Sequence, residues 1–147
     1  MNTLGDKLFF GFSADYPDHY SPGKTQPTIV FFGSPDVFAK FASWLEERCN
    51  RTEGSERLND ALFFSHANVD VLLTFSKRSR GMHQVDDRTL EWGLAPREID
   101  TFSQQLHGLA KSPPGQTRWV FLDCGGSDEV DVVAQVGEDE YPRSAFT

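Results

Sequence analysis

The chain has 147 residues, a net charge of −8, thirteen Phe, three Trp and two Cys. That length is enough for one domain with its own core, so a single domain over residues 1–147 is expected, folding without disulfides or metals. The acidic balance argues against nucleic acid and against an anionic membrane surface, both of which want an excess of Lys and Arg, and it favours a basic protein partner.

Lys7 to Ser13 is aromatic-rich and reads as a first strand, and Asp15 to Gly23 reads as a loop from its Pro, Gly and Asp content. Thr28 to Phe32 is a β-branched and aromatic run, short enough for a buried strand. Gly33-Ser34-Pro35-Asp36 is a helix start: Ser34 can cap, Pro35 suits the first helical position and Asp36 complements the dipole. The helix is expected to run to about Cys49, with Phe38, Phe41, Ala42, Leu45 and Cys49 on one stripe. Asn50 to Asn59 is polar and reads as a loop, and Ala61 to Phe64 as a short strand. Val69, Val71, Leu73 and Phe75 alternate with polar positions, the pattern of a half-buried strand. After a basic turn at Lys77 to Gly81, alternation resumes through Leu90, Trp92 and Leu94. Pro96 opens a second helix with the stripe Ile99, Phe102, Leu106 and Leu109, and Pro113-Pro114-Gly115 stops it.

One internal echo is present. After Pro35, Phe38, Phe41 and Leu45 fall at the same offsets as Ile99, Phe102 and Leu106 after Pro96. Two helices packing on a sheet by one rule account for it, and so would a diverged duplication. Strands outnumber helices, and two single-faced helices need a sheet to cover. The expected class is therefore α+β, a two-layer sandwich of a mainly antiparallel sheet with two amphipathic helices.

No GxSxG, GxxxxGK[ST], HExxH or GxGxxG motif is present, so no cofactor and no motif-borne enzyme chemistry is expected. His66 and His83, each near carboxylates, are the candidates for a small enzyme. His83 with Asp86 and Asp87 is a weak metal set, because strand alternation puts the two acids on opposite faces. Asp18 and His19 lie together in the first loop. The basic cluster Lys77, Arg78, Arg80 and Arg88 lacks the interleaved aromatics of a nucleic-acid surface and reads as a solvated turn. Cys49 and Cys124 are isolated thiols; the acids around Cys124 disfavour a nucleophilic thiolate there. Met1 to Phe12 has no leader-like apolar run, and no stretch approaches the ~20 apolar residues of a membrane span. A cytoplasmic protein with reduced thiols is expected.

The closing segment carries the strongest signal. From Trp119 to Pro142 there are acids at Asp123, Asp128, Glu129, Asp131, Glu138, Asp139 and Glu140, and no Lys or Arg. They decorate an expected β-hairpin: Trp119 to Asp123, a Gly125-Gly126 turn, and Val130 to Val136. Strand phase puts Val130, Val132, Ala134 and Val136 on an inward face and Glu129, Asp131, Val133 and Gln135 on the other. The acids thus divide into a cluster at the turn and one past the strand, separated by about seven residues or roughly 23 Å. Two readings stand: charge that keeps an edge strand from aggregating, and a surface aimed at a basic partner.

Leu90-Glu91-Trp92, the helix, Trp119-Val120-Phe121-Leu122-Asp123, the Val-rich strand and the Glu140-Tyr141-Pro142 ending resemble small bacterial immunity proteins of polymorphic and contact-dependent toxin systems. Several of those carry a His just before the aromatic-Leu-Asp strand, where this chain has Arg118-Trp119. The resemblance implies a cytoplasmic inhibitor without enzyme activity, whose partner is a cognate toxin covered at its active site. An acidic nucleic-acid mimic or phage-type inhibitor is the other binding alternative.

Overall fold

The computed structural model describes residues 7–18, 21–61, 63–66, 68–113, 115–125 and 129–137; of His66, only the backbone is described. The elements are β1 (Leu8–Pro17), β2 (Thr25–Gly33), α1 (Pro35–Glu46), β3 (Ser55–Arg57), a 3-10 turn (Leu58–Asp60), β4 (Phe64–His66), β5 (Asp70–Phe75), β6 (Gly81–Asp86), β7 (Thr89–Leu94), α2 (Pro96–Ala110), β8 (Arg118–Phe121) and β9 (Asp131–Val136). The α+β sandwich expected from the pattern is what forms, with one difference. The strands make two sheets, ordered β4-β1-β2-β9-β8 and β3-β5-β7-β6.

Local chemistry accounts for most boundaries. Pro35 and Pro96 each occupy the start of a helix, where a missing N–H costs nothing. Ser34 stands at the N-cap position without a side-chain capping bond; its carbonyl accepts from the amide of Phe38 at 3.3 Å. The apolar stripes are buried as the spacing requires: Phe38, Phe41, Ala42 and Leu45 on α1, and Ile99, Phe102, Leu106 and Leu109 on α2. α1 stops at Glu46, three residues before Cys49. β3 lies inside the polar stretch read as a loop, because Ser-Glu-Arg has no apolar alternation to betray a strand. It forms by pairing antiparallel with β5.

Both sheets and both helices enclose one core. The aromatic rings knit it: Phe31 of β2 stacks on Trp92 of β7 with centroids 5.8 Å apart. Phe31 also meets Phe41 of α1 at 5.3 Å, and Trp92 meets Phe102 of α2 at 5.7 Å. Each such buried aromatic removes roughly 150–250 Å² from water.

These contacts expose an internal symmetry. The spacing that carries Pro35 to Pro96 also carries Thr28 to Thr89, Ile29 to Leu90, Phe31 to Trp92, Asp70 to Asp131 and Val71 to Val132. The pairings repeat accordingly. Thr28 pairs with Asp131 and Thr89 with Asp70; Ile29 pairs with Val132 and Leu90 with Val71; Phe31 pairs with Ala134 and Trp92 with Leu73. Each half of the chain supplies an antiparallel hairpin (β1-β2 or β6-β7), a helix, and a second antiparallel pair (β3-β5 or β8-β9). The second pair of one half joins the first hairpin of the other through a parallel ladder, β2-β9 in one sheet and β5-β7 in the other. Of the two accounts of the helix echo, a repeat of the whole ββαββ unit with exchanged hairpins fits this topology. Two helices merely resembling one another would not repeat the strand register.

Candidate functional site

The acidic hairpin exists: β8 and β9 pair antiparallel from Arg118–Val136 to Phe121–Val133, and the amide of Leu122 extends the ladder to the carbonyl of Val132 at 2.9 Å. Its strand phase is as expected. Val130, Val132, Ala134 and Val136 are buried in the core, while Asp131 and Gln135 are half-exposed on the other side. Asp123 is exposed and its Oδ1 accepts from the amide of Gly125 at 2.7 Å, which fixes the start of the turn. Asp128, Glu138, Asp139, Glu140 and the Tyr141-Pro142 ending lie outside the described residues.

Glu129 does something the sequence did not suggest. Its backbone amide and that of Val130 both donate to the carbonyl of Met82, each at 3.0 Å. Its Oε1 accepts from the amide of Gln84 at 3.3 Å, and its carbonyl accepts from Gln26 Nε2 at 3.3 Å. The residue therefore clamps the hairpin to β6 of the other sheet. Asn68 holds the equivalent place in the first half, accepting from the amide of Phe12 at 3.0 Å and donating to its carbonyl at 2.7 Å. The negative charge is not needed for that job. We expect Glu129→Gln to keep full stability and Glu129→Ala to lose about 1 kcal/mol, read from the midpoint of urea unfolding. Equal losses in both would show that the charge itself stabilises the clamp.

With Glu129 committed to the clamp, Asp123 and Asp131 are the described acids directed away from the core. Beside them the outer face of the five-stranded sheet carries an apolar group. Val30 and Val133 pack together under Tyr16 and Phe121, and Trp119 meets Phe121 edge-on at 5.3 Å while remaining 45% exposed. Phe9 and Phe32 stack at 5.3 Å across β1 and β2 on the same face. Burial raises the Tyr16 hydroxyl above the ordinary phenol value. Periodicity showed that Val133 shares a face with Asp131, and Phe121 faces it across the hairpin, but Val30 and Tyr16 come from β2 and β1, more than a hundred residues away in the sequence, so no local signal could have gathered them.

The other candidates are placed as follows. His83 lies on the outer face of the four-stranded sheet with Nε2 3.4 Å from Glu91 Oε1. Asp86 accepts from the amide of Arg88 at 2.8 Å, which holds its carboxyl below the usual value, and it shapes the β6-β7 turn. Among the described residues no three His, Cys, Asp or Glu side chains converge on a metal-sized site. Lys77, Arg78 and Arg80 ring the exposed turn after β5; the Arg80 stem lies along Gly93, where an added Cβ would come within 3.2 Å of it. Cys49 and Cys124 form no disulfide, and each is half-buried against the core. His19 lies outside the described residues.

A site missed by sequence reasoning is a cavity of about 370 Å³ between α1, β3 and the 3-10 turn, lined by Trp44, Arg48, Glu56, Arg57 and Asp60 among others. The Arg48 guanidinium lies 3.8 Å over the Trp44 ring and is ion-paired with Glu56. Arg57 bonds Asp70 at 2.6 Å and Asp60 at 3.1 Å, and the Asp70 hydrogen bond raises its already high pKa. These cations are thus satisfied within the chain. The cavity escaped notice because β3 carries no strand pattern.

Comparison with family models, with curated proteins and with solved structures finds no match. The functional reading therefore rests on the residues themselves. Among the described residues no helix is long and apolar enough to cross a membrane.

Proposed function

We propose that this chain is a protein-binding inhibitor of the immunity type, which neutralises a basic toxin by covering its active site or substrate cleft. The observation that supports the reading is the fixed placement of carboxylates on the closing hairpin. Asp123 is tied to the turn through Gly125, Asp131 stands on β9 in register with Thr28 of β2, and the hairpin is clamped to both sheets through Glu129. Acids held this way lose little freedom on binding, so their attraction to a basic surface is not spent on ordering them. Their main effects are faster encounter and selectivity against acidic partners.

The test is an Asp123→Lys, Asp131→Lys double variant, with Glu129 left intact to preserve the clamp. The partner is the basic protein that co-purifies with the chain from its own cells. The association rate is expected to fall about 10- to 100-fold at low salt, with the difference shrinking as salt rises. An unchanged rate at low salt would remove the hairpin from the interface. A saturated complex in which the partner keeps its full activity would remove the inhibitor reading.

A further inference from the structure

The internal repeat supplies a control for the cavity between α1, β3 and the 3-10 turn, because the fold builds the same corner twice. The helix spacing matches Trp44 with Gln105 and Arg48 with Leu109. The strand register matches Glu56, opposite Leu73, with Val120, opposite Ala134. In the second half this corner is apolar: Leu109 is buried and Val120 packs on the core, while Gln105 Nε2 donates to the carbonyl of Phe121 at 3.2 Å. In the first half the same two positions hold Arg48 and Glu56, ion-paired with only 18% and 33% of their side chains exposed. Two hydrophobes in place of an ion pair taken this far out of water often stabilise as well or better. The second half shows that the fold closes this corner without charge, so the charge in the first half calls for another reason. That corner also holds the cavity of about 370 Å³, inside the range of about 300–1,000 Å³ usual for small-molecule sites.

We propose that this cavity binds a free α-amino acid. One wall is fixed by its own contacts. The Arg48 guanidinium lies 3.8 Å over the Trp44 ring, donates to the Trp44 carbonyl at 2.8 Å and to Glu56 Oε1 at 3.3 Å. Trp44 in turn meets Phe63 and Phe64 edge-on, each at 6.5 Å. The other charged pair is open. Arg57 and Asp60 line the cavity 3.1 Å apart with 47% and 68% of their side chains exposed, and an exposed pair of this kind adds little to stability. Arg57 keeps its place when Asp60 turns away, because Asp70 accepts from its Nη2 at 2.6 Å. One guanidinium and one carboxylate that part at little cost fit a ligand with a carboxylate and an ammonium on the same carbon. The carboxylate goes to Arg57, the ammonium to Asp60, and the side chain rests on Trp44 and Ala61. A simple anion or cation would satisfy one partner and strand the other. A peptide carries its terminal charges too far apart, and a nucleotide would bring phosphate to a chain of net charge −8. None of these residues belongs to the closing hairpin, so the site stands or falls apart from the inhibitor reading.

The experiment is isothermal titration calorimetry of the full chain with each of the common protein amino acids, and with the N-acetyl and carboxamide forms of any that binds. The expected result is binding of an amino acid with an apolar or aromatic side chain at a Kd below about 1 mM. Its N-acetyl form lacks the ammonium and its carboxamide the carboxylate. Each should bind about ten- to a hundredfold more weakly, the scale of one lost charge-assisted hydrogen bond. Asp60→Asn should weaken the free amino acid to the same extent while leaving the thermal midpoint unchanged, since the side chain is exposed. Arg48→Leu with Glu56→Val, which installs the matched residues of the second half, should keep the midpoint at or above the wild-type value and lower affinity more than about tenfold. No amino acid binding at that strength, derivatives that bind as well as the free acid, or either variant binding like the wild type overturns the assignment. A double variant that fails to fold overturns it as well, because the fold would then need the ion pair for itself.

Discussion

Trp92→Ala is expected to lower the unfolding free energy by about 3–5 kcal/mol, the range for deleting a buried aromatic from a packed core. Trp92 is fully buried, with Phe31 on one side at 5.8 Å and Phe102 on the other at 5.7 Å. Phe31 is its equivalent in the first half, so this stack joins the two sheets at the centre of the repeat. Removing the ring leaves a cavity that neither sheet can close without breaking its own ladder, and a domain of this class has only about 5–15 kcal/mol to lose. Guanidinium unfolding followed by circular dichroism measures the effect. Trp92→Phe is the informative companion. The Nε1 of Trp92 is buried with no hydrogen-bond partner among the described residues, so replacing it by Phe gives up ring volume but no hydrogen bond. We expect a cost below about 1.5 kcal/mol. A loss as large as that of the Ala variant would show that the indole N–H is satisfied and matters.

Cutting the chain in the β5-β6 turn is expected to give two halves that are each unfolded and that refold when mixed. The reason is the exchange of hairpins. The second half alone would hold two strand pairs of different sheets, and the first half β4-β1-β2 with the β3-β5 pair, each with one helix whose packing partner, α1 or α2, is on the other half. An isolated two-stranded pair is marginal in water, and each half also loses the sheet strands and the helix that close the shared core over its apolar face. The parallel ladders β2-β9 and β5-β7 run between halves and would be lost together, leaving only the β1-β4 ladder inside the first half. Fragments 1–77 and 78–147, measured separately, should show little ordered signal by far-ultraviolet circular dichroism. An equimolar mixture should recover the native spectrum with a midpoint that rises with concentration, because folding has become association. A half that unfolds cooperatively by itself would show that the exchange is not what stabilises the molecule.

The parts of the fold legible in the sequence were those written in local chemistry. The helix starts follow from Pro35 and Pro96, the stripes from Phe38 to Leu45 and from Ile99 to Leu109, and the inward phase of β9 from alternating Val132, Ala134 and Val136. β3 was illegible because a three-residue edge strand of Ser, Glu and Arg has no hydrophobic period, and its existence depends on β5 being beside it. The helix echo was visible, but its meaning was not. Only the register of Thr28 with Asp131 against Thr89 with Asp70 distinguishes a repeated unit from two similar helices.

The candidate site divides the same way. By itself the sequence determined that the closing hairpin is acidic, that Val130, Val132 and Val136 point inward and that Asp131 and Val133 share the outer side, since charge and a period of two are properties of consecutive residues. Tertiary structure decided what surrounds those residues. It turned Glu129 into a clamp on Met82 and Gln84, and it brought Tyr16, Val30 and Phe32 from the first hairpin alongside Val133, Phe121 and Trp119. Parallel pairing between distant strands carries no local signature, because the partner is chosen by the shared core rather than by neighbours in the chain. The joining of Trp119 and Phe121 to the rings of the first hairpin is therefore a product of that pairing.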